Sequence, residues 1–177
     1  LLLADLTESH FRSDNTDVVV TDADRFPLTE LSNLTLGAFA VTPEDRAIHG
    51  WDRSVSNHEE SIRVLRLIKE GRSGYSPSDC WKLALVGGKP AGLIVSFIPE
   101  PKYRPPHGVI GQLGVCPAYR RKGIGSLLIA RIHDTFRKHG CLYSYVGTPE
   151  TNHGAISLYT RAGYRPLFRM VDYERNL

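Results

Sequence analysis

The chain has 177 residues, 41% of them hydrophobic and 23% charged, a balance that excludes disorder and leaves little room for two full domains. Its 22 basic and 19 acidic residues give a net charge of +3, too mild an excess to indicate nucleic acid as a partner. No apolar run approaches the ~20 residues of a membrane helix, and Leu1–Leu6 is too short and unflanked by basic residues to be a signal peptide. No membrane association is therefore expected, and the default location is cytoplasmic. Cys80, Cys116 and Cys141 are widely spaced and form no CxxC, and the seven histidines include no HExxH, so neither a disulfide framework nor a metal site is expected. Leu1 in place of an initiator Met implies a processed chain or a piece of something longer.

In chain order, residues 1–17 read as an N-terminal extension or linker before a core of residues 18–173, the whole 1–177 forming one domain. The β-branched run Val18–Thr21 predicts the first strand. Asp22 and Asp24 offer caps for a helix over Pro27–Phe39, with Leu28, Leu31, Leu34 and Phe39 along its buried stripe. Ser56 and Glu59 read as a capping box before a second helix, whose stripe is Ile62, Leu65 and Ile68 and whose stop is Gly71. The period then switches to two. Trp81–Val86 and Ala91–Ile98 predict strands joined by a Gly87-Gly88-Lys89-Pro90 hairpin turn. Pro99, Pro101, Pro105 and Pro106 exclude regular pairing before the next strand, Val109–Val115. A helix over Ser126–His139 follows, turning Leu128, Ile132 and Phe136 inward and ending at Gly140. Leu142–Val146 predicts a strand, Asn152–Ala162 a helix ended by Gly163, and Tyr164–Tyr173 the last strand or strands. This is an α/β order, a single mixed sheet with helices on both faces and a parallel crossover around residues 109–146.

The chemistry concentrates where Val109–Val115 passes through Arg120-Arg121-Lys122-Gly123-Ile124-Gly125 into a helix. Gly123 and Gly125 lack Cβ atoms, so backbone amides there can approach a ligand closely. Those amides open a helix whose N-terminus carries about half a positive charge, and three basic side chains stand beside it. Such a place suits a phosphate or diphosphate. It is no Walker loop, because Lys122 precedes the glycines, and no dinucleotide fingerprint, because Leu128 stands where a third glycine is needed.

The stretch Leu113 to Leu128 resembles the R/Q-x-x-G-x-G/A acyl-CoA motif of the GNAT superfamily of N-acetyltransferases. Asn152-His-Gly-Ala155-Ile-Ser-Leu-Tyr159-Thr-Arg-Ala-Gly163-Tyr164 resembles that family's N-x-x-A-x-x-L-Y-x-x-x-G-F/Y motif, in the right order and with one strand between. The resemblance implies a mostly antiparallel central sheet with a splayed parallel pair. It implies acetyl-CoA as cosubstrate, no metal, and direct acetyl transfer to an amine on a small molecule or a peptide. It assigns Leu113 and Val115 to the pantetheine arm, and the loop Arg120, Arg121, Lys122, Gly123, Ile124, Gly125 and Ser126 to the diphosphate. Asn152 is assigned to the pantetheine end and Tyr159 to protonation of the leaving thiolate. Taken by spacing alone, Tyr159 reads as a core aromatic.

The strand carboxylate that many members use on the amine is replaced by Gly111, followed by Gln112. His107, Glu150 and Asp79 are candidate substitutes, and the base stays unassigned. The resemblance puts the acceptor beside Glu44, His49, Trp51, Asp52 and Tyr103, whose acidic and aromatic character suits a cationic amine. A CoA-binding module without turnover, and a domain of a multienzyme acting on carrier-bound acyl thioesters, are the alternatives. A homodimer is compatible with the pattern.

Overall fold

Seven strands build one sheet in the computed structural model, which describes residues 1–8, 11–39, 57–100 and 105–169. The elements are β1 (Leu2–Asp5), β2 (Val18–Asp22), α1 (Leu28–Phe39), α2 (His58–Lys69), β3 (Trp81–Val86), β4 (Lys89–Phe97), β5 (His107–Val115), α3 (Ile124–Lys138), β6 (Tyr143–Val146), α4 (His153–Arg161) and β7 (Arg165–Pro166). Their order across the sheet is β2-β3-β4-β5-β6-β1-β7. Every neighbouring pair is antiparallel except β5 with β6, which α3 joins as the expected crossover. The α/β reading, mostly antiparallel with one parallel pair, is borne out.

β4 is buried without a break from Ala91 to Ser96, because helices cover both faces of the sheet there. A Cβ at Gly92 would meet Ile124 and Leu128 of α3, whereas one at Gly114 would meet Ala38 and Phe39 of α1. α1 and α2 pair with each other on one face, and α3 packs across β3, β4 and β5 on the other. The hairpin turn forms as expected, with Gly87 and Gly88 at φ of 56° and 76°. Those are the two positive values that a two-residue turn needs to match strand twist.

Three expectations are corrected. Residues 1–17 are not simply an extension, because Leu2–Asp5 is a strand between β6 and β7. It buries Leu2, Ala4 and, just beyond it, Leu6, so its apolar residues join the core. The second helix is capped by Asn57, whose side chain accepts from Glu60 N at 2.9 Å, and not by a Ser56–Glu59 box. Ser56 itself lies outside the described residues. The last strand is Arg165–Pro166, since Tyr164 and residues 167–169 stand outside the ladder; residues 170–173 of the expected strand lie outside the described residues.

A register slip in β5 went unread in the sequence. Val95 stands opposite Gln112 and Ser96 opposite Ile110, which leaves Gly111 unpaired as a bulge. Side chains six apart in an unbroken strand face the same way. Here a Cβ at Gly108 would strike Phe136 of α3 at 2.4 Å, while one at Gly114 would meet Ala38 of α1 at 2.8 Å. The bulge therefore turns the end of β5 over just where it leaves its parallel partner.

Candidate active site

β5 pairs with β6 only from His107 to Ile110; from Gly111 to Val115 the strand runs on with no ladder on that side. The parting opens a cavity of about 420 Å³ at the N-terminal end of α3. Leu113, Gly114 and Val115 form its strand wall, and Ala155, Leu158 and Arg161 of α4, at three-residue spacing, form the helical wall facing it.

The loop between β5 and α3 supplies the polar end. Arg121 and Gly123 sit in the left-handed region, at φ of 64° and 78°, a winding that turns successive backbone N–H groups inward. Gly123 is the N-cap of α3, makes no side-chain cap bond, and no acidic residue lies in the first turn. The first amides of the helix are thus left without side-chain acceptors. Among the described residues lining the cavity, Arg120, Arg121 and Arg161 are basic and none is acidic. Gly125 is needed for space as well, since a Cβ there would come within 3.0 Å of Leu158 Cδ2. Uncapped amides, arginines and bare glycines at one mouth make an anion cradle.

All the residues expected on the cofactor side line this cavity except Lys122. The Lys122 ammonium instead stands 5.6 Å above the centre of the Tyr119 ring. Arg120 lines the cavity, but its guanidinium is also engaged by protein: Nε donates to Val115 O at 3.2 Å and an Nη to Ala38 O at 2.8 Å. It staples the end of α1 to the end of β5, so it shapes the mouth in addition to charging it. Asn152 caps α4, its Oδ1 accepting from Ala155 N at 3.0 Å, which leaves the side-chain NH2 to donate to a ligand. Sequence reading missed Arg161, although the spacing Ala155, Leu158, Arg161 places it on the same helical face.

Tyr159 is not among the lining residues. It is 5% exposed, with its ring edge-on to Tyr164 at 5.4 Å between centroids. Burial pushes its phenol pKa upward, so it keeps its proton at neutral pH. Tyr164 is locked in turn: its hydroxyl shares hydrogen bonds with Ser144 Oγ at 2.6 Å and with Nε2 of the fully buried His133 at 2.9 Å.

None of the candidate bases reaches the cavity. His107 starts β5, about 13 Å along the strand from Gly111. It is 7% exposed and hydrogen-bonded through Nδ1 to Pro105 O at 2.9 Å, so it is a packed residue. Asp79 binds Lys138 and His139 at the opposite end of α3, and Glu150 pairs with Arg169. Glu44, His49, Trp51, Asp52 and Tyr103 lie outside the described residues. Gln112, beside the bulge, reaches α1, its Oε1 3.5 Å from Thr35 Oγ1; its buried Nε2 has no partner among the described residues. The three thiols are free, and burial raises Cys80 to about 12 and Cys141 to about 11, which makes both inert. Among the described residues no group of His, Cys, Asp and Glu could hold a metal, and no helix is long and apolar enough to cross a membrane.

A parallel pair split beside a glycine-arginine anion cradle makes this an α/β fold with an open, basic cleft. The sequence profile described as "Acetyltransferase (GNAT) family" matches residues 43–164, and the chain belongs to that family. It is 38% identical over 68 residues to "Probable N-acetyltransferase HLS1-like" of Arabidopsis thaliana, covering 38% of this chain and 16% of that protein. It is 29% identical over 163 residues to human "N-alpha-acetyltransferase 30", covering 82% of this chain and 45% of the relative. The chain thus spans less than half the length of these curated relatives. Its fold is shared with a chain of the NatC complex bound to Gag peptide and CoA, at a TM-score of 0.64 and 19% identity over 88% of this chain and 89% of that one.

Proposed function

We propose that the protein is an acyl-CoA-dependent N-acetyltransferase that carries acetyl from acetyl-CoA to the amine of a peptide or small molecule by direct attack. The observation that carries this reading is the coincidence, in one cavity, of an unpaired β5 edge and an uncapped, arginine-flanked α3 N-terminus. The cosubstrate supplies a thioester carbonyl and a diphosphate. The residues fit both ends. The N–H groups of Arg121 to Ser126 would hold the diphosphate, and the main chain of Leu113 and Val115 would offer ladder bonds to an extended amide arm such as pantetheine. Asn152 donates its free amide to the same arm. Main-chain donors beside the Gly111 bulge suit a carbonyl oxygen as it gains charge. Tyr159, which the resemblance assigns to the departing sulfur, keeps its proton but stands behind the lining residue Leu158, so it serves as the acid where the bound thioester reaches past that side chain.

The relative with the longest coverage acts on α-amines by its name, which makes peptide N-termini the first acceptors to test. Thiol release from acetyl-CoA is measured against a panel of N-terminal peptides, small amines and aminoglycosides. Amine-dependent thiol release with mass gain on the acceptor is expected. Tight CoA binding with no turnover on any acceptor favours the second reading, a CoA-binding module. That reading draws on one observation: no carboxylate or histidine among the described residues lines the cavity.

A further inference from the structure

The segment joining β1 to β2 has to cross the sheet, because four strands separate the two in the spatial order. Its described residues, 6–8 and 11–17, meet α3 from that helix's C-terminal end to its N-terminal end. Arg137 Nε donates to Leu6 O at 3.1 Å, and Phe11 stands edge-on to His133 at 6.5 Å between centroids. Asn15 Nδ2 then donates to Lys122 O at 2.8 Å, in the anion loop itself. The rest of Asn15 is fixed by its own turn: Oδ1 accepts from Asp17 N at 3.0 Å and the main-chain O accepts from Val18 N at 3.2 Å. Its NH2 is therefore a presented donor on a held frame.

We propose that Asn15 is a positioning residue for the cosubstrate diphosphate, acting by fixing the peptide between Lys122 and Gly123. This rests on the acyl-CoA reading above. A trans peptide is planar, with its C=O and N–H pointing in opposite directions. Holding Lys122 O toward the strap turns Gly123 N–H away from it, and Gly123 lines the cavity. The peptide needs holding because Gly123, without a Cβ, has no steric bias against the flipped orientation. No side-chain cap supplies that bias from the helix side.

The test uses Asn15→Ser, which keeps a hydroxyl acceptor for the turn, cannot reach Lys122 and changes no charge. Asn15→Asp, with the same shape but no donor, is the second variant. CoA affinity is measured by calorimetry. Turnover is measured with acetyl-CoA and with S-acetylpantetheine, which lacks the diphosphate. Both variants are expected to melt with the parent. Each is expected to raise the Kd for CoA and the KM for acetyl-CoA by about two- to tenfold, the worth of one hydrogen bond, at unchanged kcat. Turnover of S-acetylpantetheine is expected to stay at the parent's level. Unchanged CoA affinity overturns the proposal, and so does a parallel loss with S-acetylpantetheine, which marks a merely structural contact. A parent protein that binds CoA no better than pantetheine overturns the diphosphate site itself, and that outcome is visible before any variant is made.

Discussion

The two ends of α3 are built on opposite plans. At its C-terminal end the cap and the charged side chains are bonded to protein. Gly140 takes a φ of 77°, and Cys141 N closes the last turn on Phe136 O at 2.9 Å. Asp79 accepts from Lys138 and His139 at 2.9 Å each, Thr135 Oγ1 donates to Asp79 O, and Arg137 reaches Leu6 O. At the N-terminal end, 15 residues away, there is no side-chain cap, no acid, and glycine where bulk would fill space. A helix satisfied at one end and left open at the other keeps its stability and its chemistry in different places. Changes at the open end should cost function with little stability; changes at the closed end should do the reverse.

The largest expected effect lies beside the open end. Tyr159→Phe keeps the buried ring and removes the proton, so kcat should fall by about a hundred- to ten-thousandfold. The KM for acetyl-CoA should move little, because the role proposed for the phenol is at the departing sulfur. A kcat near the parent's value assigns the proton to another donor. Next, Gly125→Val puts carbon where Leu158 stands within 3.0 Å of a bare Cβ and fills the cradle. CoA affinity should drop by about a hundredfold, or about 2.7 kcal/mol, in calorimetry. A large fall in melting temperature would show that the open end also carries stability and would break the contrast.

The middle of the helix gives a pH test. Burial holds His133 down at about 3, with Arg137 adding to the shift, well below the ordinary 6.5. The unfolded chain then takes up this proton first, so the stability is complete above pH 6.5 and declines as pH falls toward 3. The slope is at most about 1.4 kcal/mol per pH unit, or roughly 2 kcal/mol between pH 6.5 and 5. Urea midpoints should show that slope in the parent and a shallower one in His133→Gln, which can still bond Tyr164 but does not titrate. Equal slopes would show that His133 is not the group responsible.

The smallest effect belongs to the closed end. Burial raises the Asp79 pKa, but hydrogen bonds from Lys138 and His139 outweigh it and hold the carboxyl below its usual value. Its contribution is present above about pH 4 and lost as pH falls through the lower folded value. Asp79→Asn should cost about 1 kcal/mol at pH 7, since one partner, Lys138, is largely exposed. CoA affinity should be untouched, and a change there would join the two ends that the contrast separates.

What could be read from the sequence was local. Gly87-Gly88 gave the hairpin because the turn's φ values are a property of those residues; Gly123 marked the cradle for the same reason, and Gly125 by its missing Cβ. The α/β order and most strands followed from period and punctuation. What escaped depends on partners far away in the chain. Leu2–Asp5 is an apolar run like any other until β6 and β7 offer it a slot. The Gly111 bulge exists only in the register with β4. That Arg120 also holds Ala38 O and Val115 O, besides lining the cavity, is visible only once α1 and β5 are in place.

β1 also carries a consequence for how the chain comes to be folded. Its partners are residues 143–146 and 165–166, among the highest sequence separations in the molecule. Contacts of that separation are slow to close, because their loop entropy is lost before they are rewarded. On a ribosome adding about 5–20 residues per second, β1 waits roughly 7–30 s for its slot to be synthesised. Until then Leu2, Ala4 and Leu6 lack the strands that cover them. The Asn15–Lys122 bond spans 107 positions, so the strap residue likewise waits for its loop to be made.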